Sequence, residues 1–235
     1  MPDGAVIVTG ASRGIGAATA AALTARGVDV VGLSRAGSVP AGRAMVCDMA
    51  DEEAIMDAIA EIAAQGPIAA LVNNAGVYES QPSASVAAAD FEALMRVNVT
   101  GVMVASREVY PHIRSRGGGC IVNMGSFFDK LGVVAHAAYC ASKAAVGALT
   151  RCLAVEWAKD GITVLNVAPG YIETDLNRQF LADDRIRQWL AQRIPGGEVG
   201  KAEDVAKLVT ALICEDLPFL TGETVYLDGG QGMNH

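Results

Sequence analysis

Tyr139 and Lys143 stand four residues apart in the stretch AYCASKA at 138–144. A free phenol, with a pKa near ~10, is neutral at pH 7 and becomes a usable general acid or base only when its phenolate is stabilised. On a helix, a lysine at i+4 lies roughly 5–6 Å away on the same face, close enough to do this electrostatically. The alanines around the pair favour that helix. Alone, the pair is equally well an aromatic ring and a cation sharing a surface helix, so its meaning depends on its surroundings. Ser126 follows the apolar run CIVNMG, thirteen residues before Tyr139. A hydroxyl at the carboxyl end of a strand in a doubly wound sheet faces the ligand crevice. Asn98 lies in an otherwise apolar helical segment, where a buried amide is costly unless satisfied. It serves either helix packing or chemistry.

A second group has the chemistry of phosphate binding. TGASRGIG (9–16) carries Gly10, Gly14 and Gly16, with Ser12, Arg13 and Ile15 between them. Glycine is needed where the chain turns sharply and where amides approach a phosphate without Cβ clash. A helix that begins there points free N–H groups and its positive end at the anion.

The elements that must hold these groups read as alternating strands and helices, the pattern of βαβ units around a parallel sheet. Strands are predicted at 5–10, 28–33, 44–47, 68–73, 120–125, 162–167 and 223–227, most of them apolar throughout as in strands covered on both faces. Helices are predicted near 15–26, 51–64, 89–115, 139–159 and 202–214. Without linker, repeat or low-complexity tract, residues 1–235 read as one domain, with 173–200 as a substrate lid inside it. The helices at 91–115 and 139–159 are apolar on more than the one stripe that packing on a sheet requires. This predicts a subunit interface and a homotetramer or homodimer.

In order along the chain stand Thr9–Gly16, NNAG at 73–76, Asn98, Ser126, Tyr139 with Lys143, and Pro169–Gly170 with Thr174 beyond. This series resembles the classical short-chain dehydrogenases/reductases over essentially the whole chain. The resemblance implies a single-domain Rossmann-type α/β fold, a doubly wound parallel seven-stranded sheet of order 3-2-1-4-5-6-7 with helices on both faces. It implies hydride transfer between a nicotinamide cofactor and a carbonyl or secondary alcohol, without a metal. Ser126 would orient the substrate oxygen, Tyr139 would transfer the proton, and Lys143 would tune Tyr139 and bind the nicotinamide ribose. Asn98 would hold a water that links Lys143 to solvent. Asn74, Ala75 and Gly76 would border the cofactor, Asp48 and Met49 its adenine, and Pro169, Gly170, Ile172 and Thr174 its carboxamide; Asn73 reads as structural.

Cofactor choice is read at the end of the second strand, where an acid roughly twenty residues past the glycines selects NAD(H). Ser34 and Arg35 occupy that place, with Arg13 in the glycine loop, and guanidiniums suit a phosphate monoester. NADP(H) is therefore favoured over NAD(H). Only about ten residues separate Arg35 from the third strand, so the helix usual between strands two and three is predicted to be shortened or missing. The adenosine pocket would then be more open, and Arg43 or Ser38 could reach the phosphate.

Half the residues are hydrophobic and only 5% aromatic, which predicts an aliphatic, alanine-rich core. A net charge of −8 argues against nucleic-acid binding. No apolar run reaches the length of a bilayer span, and no leader precedes the first strand, so no membrane association is expected. Cys47, Cys120, Cys140, Cys152 and Cys214 form no C-x-x-C, and they read as reduced, mostly buried thiols of a cytoplasmic protein. Scattered histidines (112, 136 and 235) make a His-based metal site unexpected. Tyr78, Phe127, Phe128, His136 and Tyr171 are candidates for the substrate pocket, whose occupant stays open: a β-ketoacyl thioester, a cyclic ketone or a polyol. Other readings are an NAD-dependent alcohol or polyol dehydrogenase, a non-catalytic NADP(H)-binding regulator, and a sugar-nucleotide epimerase or dehydratase. The last normally needs more chain than the sixty-five residues that follow Gly170.

Overall fold

In the computed structural model, which describes residues 1–174, 177–215 and 217–234, seven parallel strands form one sheet. They are β1 (Ala5–Thr9), β2 (Val30–Ser34), β3 (Arg43–Val46), β4 (Ile68–Asn73), β5 (Gly119–Met124), β6 (Ile162–Pro169) and β7 (Thr224–Leu227). Their spatial order is 3-2-1-4-5-6-7, as the sequence predicts. Helices α1 (Gly14–Ala25), α2 (Glu52–Gln65), α3 (Ala88–Met95), α4 (Gly101–Ser115), α5 (Ala137–Trp157), α6 (Arg178–Leu181), α7 (Asp184–Arg193) and α8 (Ala202–Cys214) follow in chain order. A single π-helical turn, Arg96–Thr100, joins α3 to α4 where one long helix was predicted.

Alternation along the strands explains the two layers of helices. Ile7, Leu71, Ile121 and Val164 point to one face, under α2, α4 and α5, whereas Val6, Val8, Val72, Val122 and Leu165 point to the other, under α1 and α8. The large, fully buried side chains are all isoleucine and leucine, so the core is aliphatic as expected. No helix separates β2 from β3, because RAGSVPAG contains Pro40 and two glycines held at φ +62° and +82°, Gly37 and Gly42.

The 173–200 stretch is more regular than its polar sequence suggests. It holds α6 and α7, and a two-residue parallel ladder joins Ile172–Glu173 to Gly200–Lys201 at its base. Residues 175–176 of this stretch, and His235, lie outside the described residues. No helix among the described residues is long and apolar enough to cross a membrane. Cys47, Cys120 and Cys214 are buried thiols, Cys140 is partly covered and Cys152 is exposed.

The doubled apolar faces separate cleanly. On α5, Val146, Leu153 and Trp157 are buried against the sheet, while Ala144, Cys152 and Val155 face outward. On the α3–α4 arm, Leu94, Val102 and Val104 are buried, while Phe91 and Met103 are exposed.

Candidate active site

The glycine turn after β1 is braced by the end of β4. Thr9 Oγ1 accepts hydrogen bonds from the amides of Asn74 and Ala75, at 3.0 and 2.9 Å. Asn74 Nδ2 donates back to the carbonyls of Thr9 and Gly10. A Cβ on Gly10 would meet Ala75 Cα at 2.8 Å, and one on Gly16 would meet the Gly10 carbonyl oxygen at 2.4 Å, so only glycine lets these segments touch. Arg13 caps α1 in extended backbone without a side-chain hydrogen bond to its first amides, which leaves that helix end open to an anion. Ser12 is exposed, Ile15 packs under the turn, and the Thr174 side chain lies within 3.7 Å of the place a Gly14 Cβ would take. An open groove of about 480 Å³ runs along this helix end, lined by Ser12, Arg13, Gly14, Pro40, Thr174 and Arg178 among others. It lies beside the glycine turn, and Tyr139 does not line it.

At the end of β2, the buried Ser34 hydroxyl donates to the Ser38 carbonyl and accepts from the Ser38 amide, tying down the turn that carries Arg35. Arg13 and Arg35 are exposed, and neither enters an ion pair among the described residues. Arg43 corrects one expectation. It opens β3 at the opposite end of the strand and grips Asp29 with two hydrogen bonds, 3.1 and 2.9 Å, with Gln65 as a further partner, so it is not directed at the phosphate position. Asp48 is exposed and accepts from the Ala50 amide, while the Met49 side chain is in the core.

At the carboxyl ends of β4 and β5 the remaining groups converge. Ser126 caps a short 3-10 turn, Phe127–Lys130, by accepting from the Phe128 amide at 3.3 Å, and its hydroxyl is close enough to the Tyr139 phenol to oppose the rise of its pKa. Lys143 is buried and donates from Nζ to the Met124 carbonyl at 2.8 Å, with Nζ 5.6 Å from the Tyr139 ring centre. A Cβ on Gly76 would sit 3.3 Å from Asn98 Oδ1 and 3.7 Å from Lys143 Nζ, so the NNAG glycine keeps this corner clear.

Asn98 lies in the π-helical turn, and its amide is fully engaged. Oδ1 accepts from the Val77 amide (2.8 Å), and Nδ2 donates to the Val77 carbonyl (2.9 Å) and to Ser142 Oγ (3.1 Å). Ser142 in turn donates to the Tyr139 carbonyl. Asn73, Asn123 and Asn166 are register partners on β4, β5 and β6. Asn73 donates to Asn123 and Ser106 and Asn123 to Thr150, a polar seam that fits the structural reading of Asn73.

Electrostatics depart from the simple expectation. Burial pushes the Tyr139 phenol up to about 12, against the opposing effect of the Ser126 hydrogen bond. Burial pulls Lys143 down to about 8. Loss of water dominates both groups, and the ammonium is turned to the Met124 carbonyl. A neutral Tyr139 is a proton donor by default. Tyr78 and Phe128 meet its ring edge-on, 4.9 and 6.0 Å between centres, and Phe127, Tyr171 and Trp189 extend the ring cluster beyond Phe128.

Among the predicted cofactor residues, Pro169 and Ile172 are buried, and Gly170 hydrogen-bonds Leu227 where a Cβ would strike Asp228. Thr174 is held through Asn177, which accepts from the Thr174 amide and donates to the Ile172 carbonyl. Sequence reasoning gave no role to Thr9 beyond its motif and missed Ser142. The signal for Ser142 was its position at i+3 from Tyr139, where a serine bonds back to the preceding turn.

Comparison with known proteins gives three kinds of likeness. The family model described as "Enoyl-(Acyl carrier protein) reductase" matches residues 10–232. Gluconate 5-dehydrogenase of Gluconobacter oxydans is 34% identical, covering 95% of this chain and 93% of its own. The 3-oxoacyl-[acyl-carrier-protein] reductase MabA of Mycobacterium tuberculosis is 36% identical, covering 98% and 93%. Among solved structures, a gluconate 5-dehydrogenase from Burkholderia cenocepacia in complex with NADP and tartrate superposes with a TM-score of 0.92 at 32% identity, over 100% of this chain and 97% of that one.

Proposed function

The chain belongs to the classical short-chain dehydrogenase/reductase family, and from that premise we propose that it is an NADP(H)-dependent reductase of a small carbonyl compound, working in reverse on the secondary alcohol. That it is an oxidoreductase of CH–OH or carbonyl groups follows from the family; the cofactor, the residue roles and the substrate are the proposal. The observation that carries it is the convergence of Ser126, Tyr139 and Lys143 at the ends of two central strands, beside an uncapped helix end.

The chain's own groups divide the work. The α1 amides, with Gly10, Gly14 and Gly16, would hold the diphosphate. Arg13 and Arg35, which enter no ion pair among the described residues, would hold the 2′-phosphate, with Ser34 fixing the turn beneath Arg35. Ser12, Ile15, Asp48, Met49, Asn74, Ala75, Gly76, Pro169, Gly170, Ile172 and Thr174 would line the rest of that site, Met49 through its backbone. NADPH supplies the hydride when bound. The Ser126 hydroxyl would then polarise the substrate oxygen, and Tyr139, kept neutral by burial, would deliver the proton to it. The Lys143 ammonium would offset the phenolate that remains. With its side chain fully engaged by Val77 and Ser142, Asn98 would hold through its main-chain carbonyl the water that links Lys143 to solvent. The 173–200 segment would act as the cover.

Reduced-nicotinamide absorbance, followed over a panel of ketones, keto acids and 3-oxoacyl thioesters, tests this reading; tight NADPH binding without turnover on any of them would favour the regulator. Arg35→Asp is expected to move preference from NADPH toward NADH by about 10-fold or more, since one charge-assisted contact is worth about 1.5–3 kcal/mol. Unchanged selectivity would assign the phosphate to Arg13 or to another group of the groove rather than to Arg35. The outward apolar faces of α5 (Ala144, Cys152, Val155) and of the α3–α4 arm (Phe91, Met103) support self-association into a tetramer or dimer, which the particle mass by light scattering checks.

A further inference from the structure

Beside the proton donor stands a polar pair that the proposed reaction does not use. Tyr78 follows the residue whose amide and carbonyl are both clamped by Asn98. Its ring meets the Tyr139 ring edge-on, 4.9 Å between centres, and its hydroxyl is hydrogen-bonded to His136 Nε2. The histidine is oriented from behind. Its Nδ1 stands 2.7 Å from the Val134 carbonyl, which can only accept, so Nδ1 carries the proton. In the neutral imidazole Nε2 is then a lone pair, and Tyr78 must donate to it.

The backbone on both sides is built to hold this arrangement. Ala135 is the one non-glycine residue with positive φ (+64°) among the described residues, a conformation that costs an L side chain about 1 kcal/mol or more. Its carbonyl accepts from the Gln81 amide at 2.8 Å, which latches the loop after β4 to the loop before α5. Phe128 packs edge-on against both His136 and Tyr139, so one wall carries the pair and the proton donor together.

The consequence is a fixed polarity. With its proton committed to His136, the Tyr78 oxygen offers acceptor lone pairs toward the space in front of Tyr139. Tyr78 is 57% exposed, so water satisfies those lone pairs until a substrate displaces it. The groups that replace such a water without loss are O–H donors. We propose that Tyr78, oriented by His136, is a specificity-determining residue that accepts a hydrogen bond from a substrate hydroxyl near the reacting carbonyl. The site thereby favours hydroxylated carbonyl compounds over plain ketones and acyl thioesters, which bring no donor to that place. This rests on the hydride-transfer reading above.

The test compares 5-ketogluconate with 5-oxohexanoate, which share the carboxylate and the ketone position and differ in the hydroxyls. In wild-type protein with NADPH, kcat/KM is expected to be higher for the hydroxylated acid. In Tyr78→Phe the ratio of the two kcat/KM values is expected to fall by about 5- to 100-fold, mainly through KM for 5-ketogluconate. Because that variant removes one half-exposed hydroxyl, the ring wall stays in place. His136→Leu, which keeps the phenol but removes its acceptor, is expected to lower the ratio as well. A ratio unchanged in both variants, with both substrates still reduced, overturns the specificity role and leaves the hydride-transfer reading standing. Wild-type protein that reduces neither these acids nor any member of the wider panel overturns both.

Discussion

Replacing Tyr139 with phenylalanine is expected to lower kcat for carbonyl reduction by about 10²- to 10⁴-fold, the usual worth of a positioned proton donor. NADPH affinity, measured by calorimetry, should stay near the wild-type value. The reason is local. The ring that closes against Tyr78 and Phe128 is kept, and Ser126 keeps the Phe128 amide as a partner after losing the phenol. What disappears is the phenolic O–H beside Ser126, held neutral by a burial that pushes its pKa up to about 12. Turnover close to wild type in this variant would contradict the assignment of the proton to Tyr139.

The second large effect is a pH profile whose alkaline limb belongs to Lys143. Its folded-state pKa is depressed from 10.5 to about 8, so the ammonium is present below about pH 8 and is lost above it. Tyr139 keeps its own proton through this whole range. The rate of reduction is therefore expected to be level below about pH 8 and to fall tenfold per unit above it, with no separate limb near 12. Lys143→Met removes the limb and lowers kcat by about 10²-fold or more. Stability carries an independent check. A depressed lysine destabilises the fold while it is charged, by about 3 kcal/mol for a shift of this size, and that cost fades as pH rises from about 8 toward 10.5. In Lys143→Met the relief is set against the Met124 carbonyl left without its partner, about 1–3 kcal/mol. The melting temperature at pH 7 should accordingly hold or rise while activity is lost. A variant that is both inactive and strongly destabilised would make Lys143 a structural residue.

How much of this was legible in the sequence depended on the range of each interaction. The glycine turn, the strand-end serine and the Tyr139–Lys143 pair are local patterns, and the apolar strand runs are set by burial on both faces; the sheet order came from the family resemblance that these motifs carry. The missing helix between β2 and β3 was legible from length alone, since only about ten residues separate Arg35 from the third strand. Partners distant in sequence were not legible. Arg43 looked available for a phosphate until Asp29, fourteen residues away, proved to hold it. Asn98 read as a lone amide in an apolar helix, whereas a π-helical turn presents it to the backbone of Val77. Tyr78 and His136, fifty-eight residues apart, meet beside Ala135, whose positive φ no sequence pattern announces. Helices α6 and α7 were hidden by their polar composition: apart from Leu181, Leu190 and Ile194, little of the segment is buried. The contact of Lys143 with the Met124 carbonyl was not legible either, because spacing gives proximity without orientation.

The most direct measurement follows the hydride itself. NADPH carrying deuterium at the transferable C4 position is incubated with the protein and the panel of ketones, hydroxylated keto acids and 3-oxoacyl thioesters, and the products are read by mass spectrometry and NMR. The expected result is one deuterium on the former carbonyl carbon of a reduced product, in a stoichiometry of one per cofactor oxidised. Cofactor bound but never oxidised, or a reduced product without deuterium at that carbon, would contradict the account.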